Sequence, residues 1–332
     1  MLTKPNRIIA LASLSFLYFP AALGQSIVPD SRPIVLTVLP QDPGSIRTQS
    51  TVRENQFLIS LVHPDGRKEV NMNVLTVEAQ TKEYRIDAVS QDSISITRML
   101  KRIVTRGKIV DVASGEVKES AFDSDRPIER GLLKDSKEIV DLLKIREVVV
   151  FNSDGSTRQY RAEGPNAALN AAWESLAERE REKGDALFAD HPVKLNENWP
   201  MGTVELSGFR FGVLTRDIEG KLLKIVIGTL PRLGANEKAV VIEVRGTNVG
   251  HRPDPDSAAA QLAKVHISHY EEKGQLLFSL DRKEIVSDHR QMTLGIEVSS
   301  PSERHSPKLL MTITHRLSKG RGTIEEVSKD MR

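Results

Sequence analysis

Ala239-Val240-Val241-Ile242-Glu243-Val244-Arg245-Gly246 sets Val240, Ile242 and Val244 against Val241, Glu243 and Arg245. Leu309, Met311 and Ile313 stand in the same way against Thr312 and Thr314. On an extended chain, side chains two apart share a face, so this is the pattern of strands with one apolar and one polar side. Working outward, the same two-residue period predicts strands at Ile34–Leu39, Gln56–His63, Val70–Val77, Lys82–Val89, Ser93–Val104, Lys108–Val112, Glu147–Phe151 and Ser156–Ala162. It then predicts Thr203–Ser207, Phe209–Asp217, Lys221–Gly228, Ala239–Gly246, Ala263–Tyr270, Leu276–Asp281, Ile285–Val298, Leu309–Leu317 and Thr323–Val327. Turns are expected at Pro64-Asp65-Gly66, at Asn152–Gly155, and at Gly220, Gly234 and Gly274. Successive long strands without intervening crossover helices imply antiparallel pairing.

One long helix is expected from Pro165 to Lys183, with proline in its first turn and Gly184 past its end. Leu169, Ala172, Trp173, Leu176 and Ala177 form its apolar stripe, and the run Glu178–Lys183 reads as a solvated helix end. A shorter helix is expected at Lys134–Lys144. The expected fold is therefore mainly β: an antiparallel curved sheet or half-barrel with the helix of about residues 165–183 packed on it. Two β halves, about 30–163 and 185–332, would flank that helix.

The chain opens with Lys4 and Arg7, an apolar run from Ile8 to Phe19, then Pro20 and Ala22-Leu23-Gly24. This is the plan of a cleavable signal peptide over residues 1–24, too short in its apolar part to span a bilayer. Export to the periplasm or the extracellular space is the expected destination, with no membrane span after cleavage. There is no cysteine, which excludes disulfides, thiolate nucleophiles and sulfur-ligated metals. The full chain carries 47 Lys plus Arg against 45 Asp plus Glu, and loss of Lys4 and Arg7 makes the balance even. Such a balance predicts no nucleic-acid partner. Charged side chains on the polar faces, with only 5% aromatics, argue against a lipid-facing outer-membrane barrel.

The segment Leu187-Phe188-Ala189-Asp190-His191-Pro192-Val193-Lys194-Leu195-Asn196-Glu197-Asn198-Trp199 resembles a motif of a family of exported, β-rich bacterial proteins of unknown function. In that family a Pro-Val-like stretch leads to a Gly-x-x-Trp-like turn, which falls here on Pro192, Val193, Asn196 and Trp199. Asn196 replaces the glycine, and Ala189 replaces an earlier proline. Gly274–Asp281 followed by Ile285–Asp288 is similar to the family's closing hairpin. The resemblance implies an exported β fold and no activity. Trp199 reads as a core plug at a strand start.

Chemistry-bearing residues are scattered. His266 and His269, three apart in a strand, are expected on opposite faces. His251-Arg252-Pro253-Asp254-Pro255-Asp256 reads as an exposed loop, and Asp123-Ser124-Asp125 offers too few oxygens for a hard cation. No nucleophile elbow, zinc-binding His pair, phosphate loop or dinucleotide fingerprint occurs. No catalytic, cofactor-binding or metal residue is therefore assigned. The expected role is a non-enzymatic binding or interaction protein of the bacterial cell envelope that holds a lipid or other hydrophobic ligand in a curved sheet. The alternatives are a structural or assembly component with an envelope protein partner, or a secreted hydrolase.

Overall fold

The computed structural model describes residues 26–27, 33–36, 42–126, 141, 143–152, 157–168, 170–171, 174, 189, 191–206, 212–228, 232–253, 263–299 and 308–329. The expected leader lies outside them. So does most of the helix expected at 165–183, of which Ala167, Ala168, Asn170, Ala171 and Glu174 are described and helical. Of the 134–144 helix, Asp141 is helical, Leu143 and Lys144 form a turn, and the rest lies outside the described residues.

The strands are β1 (Ser26–Ile27), β2 (Ile46–Val62), β3 (Lys68–Val89), β4 (Ser93–Asp111), β5 (Val117–Asp123), β6 (Arg146–Asn152), β7 (Thr157–Glu163), β8 (Asn198–Leu206), β9 (Val213–Ile227), β10 (Lys238–Arg252), β11 (Lys264–Ser279), β12 (Glu284–Ser299) and β13 (Lys308–Arg321). They make one open antiparallel sheet in the order β1-β9-β10-β11-β12-β13-β2-β3-β4-β6-β7, with β8 also on β9 and β5 also on β4. The two expected halves meet where β13 pairs with β2, from Lys308 opposite Val62 to Arg321 opposite Gln49.

The sheet is strongly curled. Strands lie about 4.8 Å apart, so side chains on β9 and β12 would stand about 14 Å apart on a flat sheet. Yet Arg216 of β9 brings Nη1 within 3.8 Å of Met292 Sδ on β12. Leu214 of β9 likewise packs in one cluster with Met292, Leu294 and Ile296 of β12. The face bearing these residues is the inner face. Ile242, Leu276 and Phe278, fully buried, lie on it under Trp199, Val193 and Leu36.

Several expectations are corrected. The Ile34–Leu39 strand is, over Pro33–Leu36, a cover segment: Ile34 makes an isolated bridge to Val193, and Leu36 plugs the inner cluster. The strand expected at Thr323–Val327 is a helix, α1 (Ile324–Lys329). Thr323 Oγ1 accepts from the Glu326 amide and Glu326 Oε2 accepts from the Thr323 amide, a reciprocal cap that a Thr-x-x-Glu spacing encodes. Ile324 and Val327 then bury against Val52, Ala79 and Val104 on the outer face.

The turns expected at Gly220 and Gly274 do not exist. β9 and β11 run straight through both positions, just as β4 runs through Gly107. At Gly220 the reason is space: a Cβ there would sit 2.7 Å from the ring of Trp199, its direct cross-strand partner. Glycine removes the side chain so that the indole can lie flat over the strand. Asn196, with φ of 65°, makes the left-handed turn that delivers Trp199 to the start of β8.

Candidate functional site

The inner face carries two features that the buried core does not absorb. The first is an apolar wall. Phe57, Ile59 and Leu61 of β2 stand opposite Ile313, Met311 and Leu309 of β13, and Val74 and Met72 of β3 flank Phe57 and Ile59. All eight are only half-buried. Ile109 of β4, opposite Val74, is 39% exposed. The wall continues the buried cluster of Leu294, Ile296 and Val298. On the outer face of the same strands, Leu58 and Leu75 are instead interspersed with Gln56, Asn73 and Thr312. α1 packs on that outer face.

The second feature is a charged band crossing the inner face beside the wall. Arg216 pairs with Glu272, which also accepts from Tyr270 Oη at 2.9 Å. Arg290 forks onto Asp288 at 2.8 and 2.9 Å. Lys82 and Arg98 share Glu147, and the Arg98 guanidinium lies 5.6 Å from the centre of the Tyr160 ring. Lys319, directly opposite Asp288, forms no hydrogen bond or ion pair among the described residues, because Arg290 already occupies that carboxylate. Arg53, on the neighbouring strand opposite Leu317, is also without such a partner and is exposed. Six cations thus meet Glu147, Glu272, Asp288 and, opposite Arg53, the exposed Glu78.

The band's electrostatics reflect this excess. Burial, reinforced by Arg290, Arg98 and Lys82, holds the Lys319 ammonium below its ordinary pKa, against the pull of Asp288. Lys82 is lowered by burial and by Arg98. His315 is lowered to about 4, first by burial, then by Arg216, Arg53 and Arg290. Arg216 lies four strands from His315, so its influence there is a further mark of the curl. The neutral imidazole donates from Nδ1 to Asn55 Oδ1 at 2.6 Å, and Asn55 in turn donates to Thr76. Arg216 Nε and Glu272 Oε1 are buried without hydrogen-bond partners.

Residues singled out in the sequence fall elsewhere. His266 and His269 do not lie on opposite faces. A bulge at Ser268 pairs them with Glu297 and Gly295, which share one face, so both histidines point outward. Among the described residues, no group of three or more His, Cys, Asp or Glu side chains is placed to hold a metal ion. His251 and Arg252 are not in a loop but close β10, and Asp254 and Asp256 lie outside the described residues. Asp123 is clamped by Arg102 at 3.1 and 2.8 Å, and Asp125 lies 3.3 Å from the same guanidinium, so these carboxylates are neutralised in place. A serine–histidine contact exists at Ser318 and His289, 2.9 Å apart. Ser318 is fully buried and also donates to the Val327 carbonyl of α1, which makes it a helix anchor. Trp199 is 2% exposed, the core plug expected of it.

The band was missed because no motif marks it. A signal exists nonetheless: Lys319 is in phase with Leu309, Met311, Ile313 and Leu317, and Arg290 with Met292, Leu294 and Ile296. A cation on the apolar parity of a strand is the trace such a site leaves.

Neither protein-family models nor curated protein sequences give a match to this chain. Among solved structures it is similar to lipovitellin, at 12% identity and a TM-score of 0.36 over 85% of this chain, and it spans about a quarter (25%) of that chain. It is also similar to the transport unit of the autotransporter AIDA-I from Escherichia coli, at 6% identity and a TM-score of 0.22 over 84% of this chain and 90% of that one. The outer membrane protein OprG from Pseudomonas aeruginosa gives 6% identity and a TM-score of 0.17 over 85% and 100%. Likenesses this loose say nothing about function. No helix among the described residues is long and apolar enough to cross a membrane.

Proposed function

We propose that this protein is an exported, non-enzymatic carrier that holds the apolar chain of a hydrophobic ligand against the inner face of its curled sheet. The observation behind this reading is the wall of Phe57, Ile59, Leu61, Met311 and Ile313, an apolar surface on the inner face of the sheet that stays half-buried. Fully burying one such side chain stabilises by roughly 1.5–3 kcal/mol. A contiguous row of them left half-wet is therefore a standing driving force for an apolar chain to lie there. The leader-like run of Lys4, Arg7 and Ile8–Phe19 supports a carrier of the cell envelope or outside the cell.

The uncharged dye Nile red tests the wall alone. Saturable uptake is expected, with Ile59→Glu abolishing it while the β circular-dichroism spectrum persists. No saturable uptake by the full-length protein, or uptake untouched by Ile59→Glu, overturns the reading.

A further inference from the structure

The charged band gives the ligand a second property. We propose that the ligand is an anionic lipid, its acyl chain on the Phe57–Ile313 wall and its phosphate or carboxylate head taken by Lys319 and Arg53. This rests on the wall binding an apolar chain, and adds the head group.

A buried ammonium without a partner is unfavourable, and natural sequences seldom keep one unless it has a counter-charge. Lys319 is half-buried, and the carboxylate directly opposite it, Asp288, is engaged by Nε and Nη2 of Arg290. Glu147, another carboxylate of the band, is shared by Lys82 and Arg98. Glu147, Glu272 and Asp288 are thus occupied and Glu78 lies across from Arg53, so six cations against four acids leave positive charge over on the inner face. Arg53 adds a second unpaired cation on the adjoining strand, one step diagonally from Lys319.

Position supplies the other half. Arg53 and Phe57 share the inner face of β2, four residues and so about 13 Å apart. A head group between Lys319 and Arg53 would send its chain past Asn55 and His315 onto the wall. His315 is uncharged at neutral pH, so the passage between band and wall is polar but carries no net charge. A neutral amphiphile would satisfy the wall and leave both cations unmet. An anionic one satisfies both, with charge-assisted hydrogen bonds in a partly desolvated site.

Two lipids of the same acyl chain separate the possibilities, lysophosphatidylglycerol with a net negative head and lysophosphatidylcholine with a neutral one. The full-length protein is titrated with each below micelle formation, alongside Nile red. The expected result is a preference of about tenfold or more for the anionic lipid, the value of one charged hydrogen bond. Lys319→Met should erase the preference and leave Nile red uptake intact, whereas Lys319→Arg should keep it. Because Lys319→Met removes an uncompensated charge, its melting temperature should not fall. Equal affinity for the two lipids, with Nile red still bound, overturns the head-group assignment and leaves the carrier standing. Loss of both lipids together in Lys319→Met, with a lowered melting temperature, makes Lys319 structural and overturns the assignment. Failure of both lipids and of Nile red overturns the carrier itself.

Discussion

β9 to β12 and the β13–β2–β3 region share one sheet, one face and one sequence rhythm, yet they are filled differently. In the first, Ile242, Leu276, Phe278 and Leu294 have no exposed surface, because β8, the Pro33–Leu36 segment and the sheet's own curl close over them. In the second, Phe57, Ile59, Met311 and Ile313 alternate as regularly and remain half-open. Alternation reports which side of a strand is apolar. Whether that side becomes core depends on what curvature and neighbouring segments bring over it.

The contrast can be broken most sharply at its two aromatic anchors. Trp199→Ala should cost about 3–5 kcal/mol, since it empties a filled site. Phe57→Ala should cost under about 1 kcal/mol but weaken Nile red uptake several-fold, since little native packing is lost there. Denaturant titration of both variants checks this, and equal losses would erase the distinction between core and wall.

A second test uses pH. The folded-state pKa of His315 is about 4, below its ordinary 6.5, so the unfolded chain takes up a proton that the native band refuses. Stability from this residue is therefore full above about pH 6.5 and is lost as pH falls toward 4, by at most about 3 kcal/mol. His315→Gln should flatten that part of the stability–pH curve. An unchanged curve would mean that neither burial nor the guanidinium groups of Arg216, Arg53 and Arg290 hold the imidazole neutral.

Gly220→Ala is a smaller effect than Trp199→Ala. Its Cβ meets a Trp199 ring that has no room to move, so a loss of about 1–3 kcal/mol is expected. The same change at Gly66, which has a positive φ but open space around it, should cost only the backbone strain of about 1 kcal/mol. Melting temperatures of the pair distinguish crowding from conformation.

Much of the fold was legible. Extended structure, antiparallel order and, over Val240–Arg245, charge-outward sidedness follow from alternation: Glu243 and Arg245 pair on the outer face. The site was legible only in outline. An apolar inner surface was expected, whereas the cationic band was not, because Arg53, Lys82, Arg98, Arg216, Arg290 and Lys319 are dispersed over six strands and form no local pattern.

What the sequence determined by itself was the two-residue rhythm and therefore which side chains share a face, since that depends only on the geometry of an extended backbone. Tertiary structure alone decided three things: that strands continue through Gly107, Gly220 and Gly274, that a bulge turns His266 and His269 to the same side, and that the sheet curls far enough for Arg216 to reach Met292. Each depends on contacts between strands remote in sequence, where a glycine is a space for a neighbour's ring and a stray cation becomes part of a band.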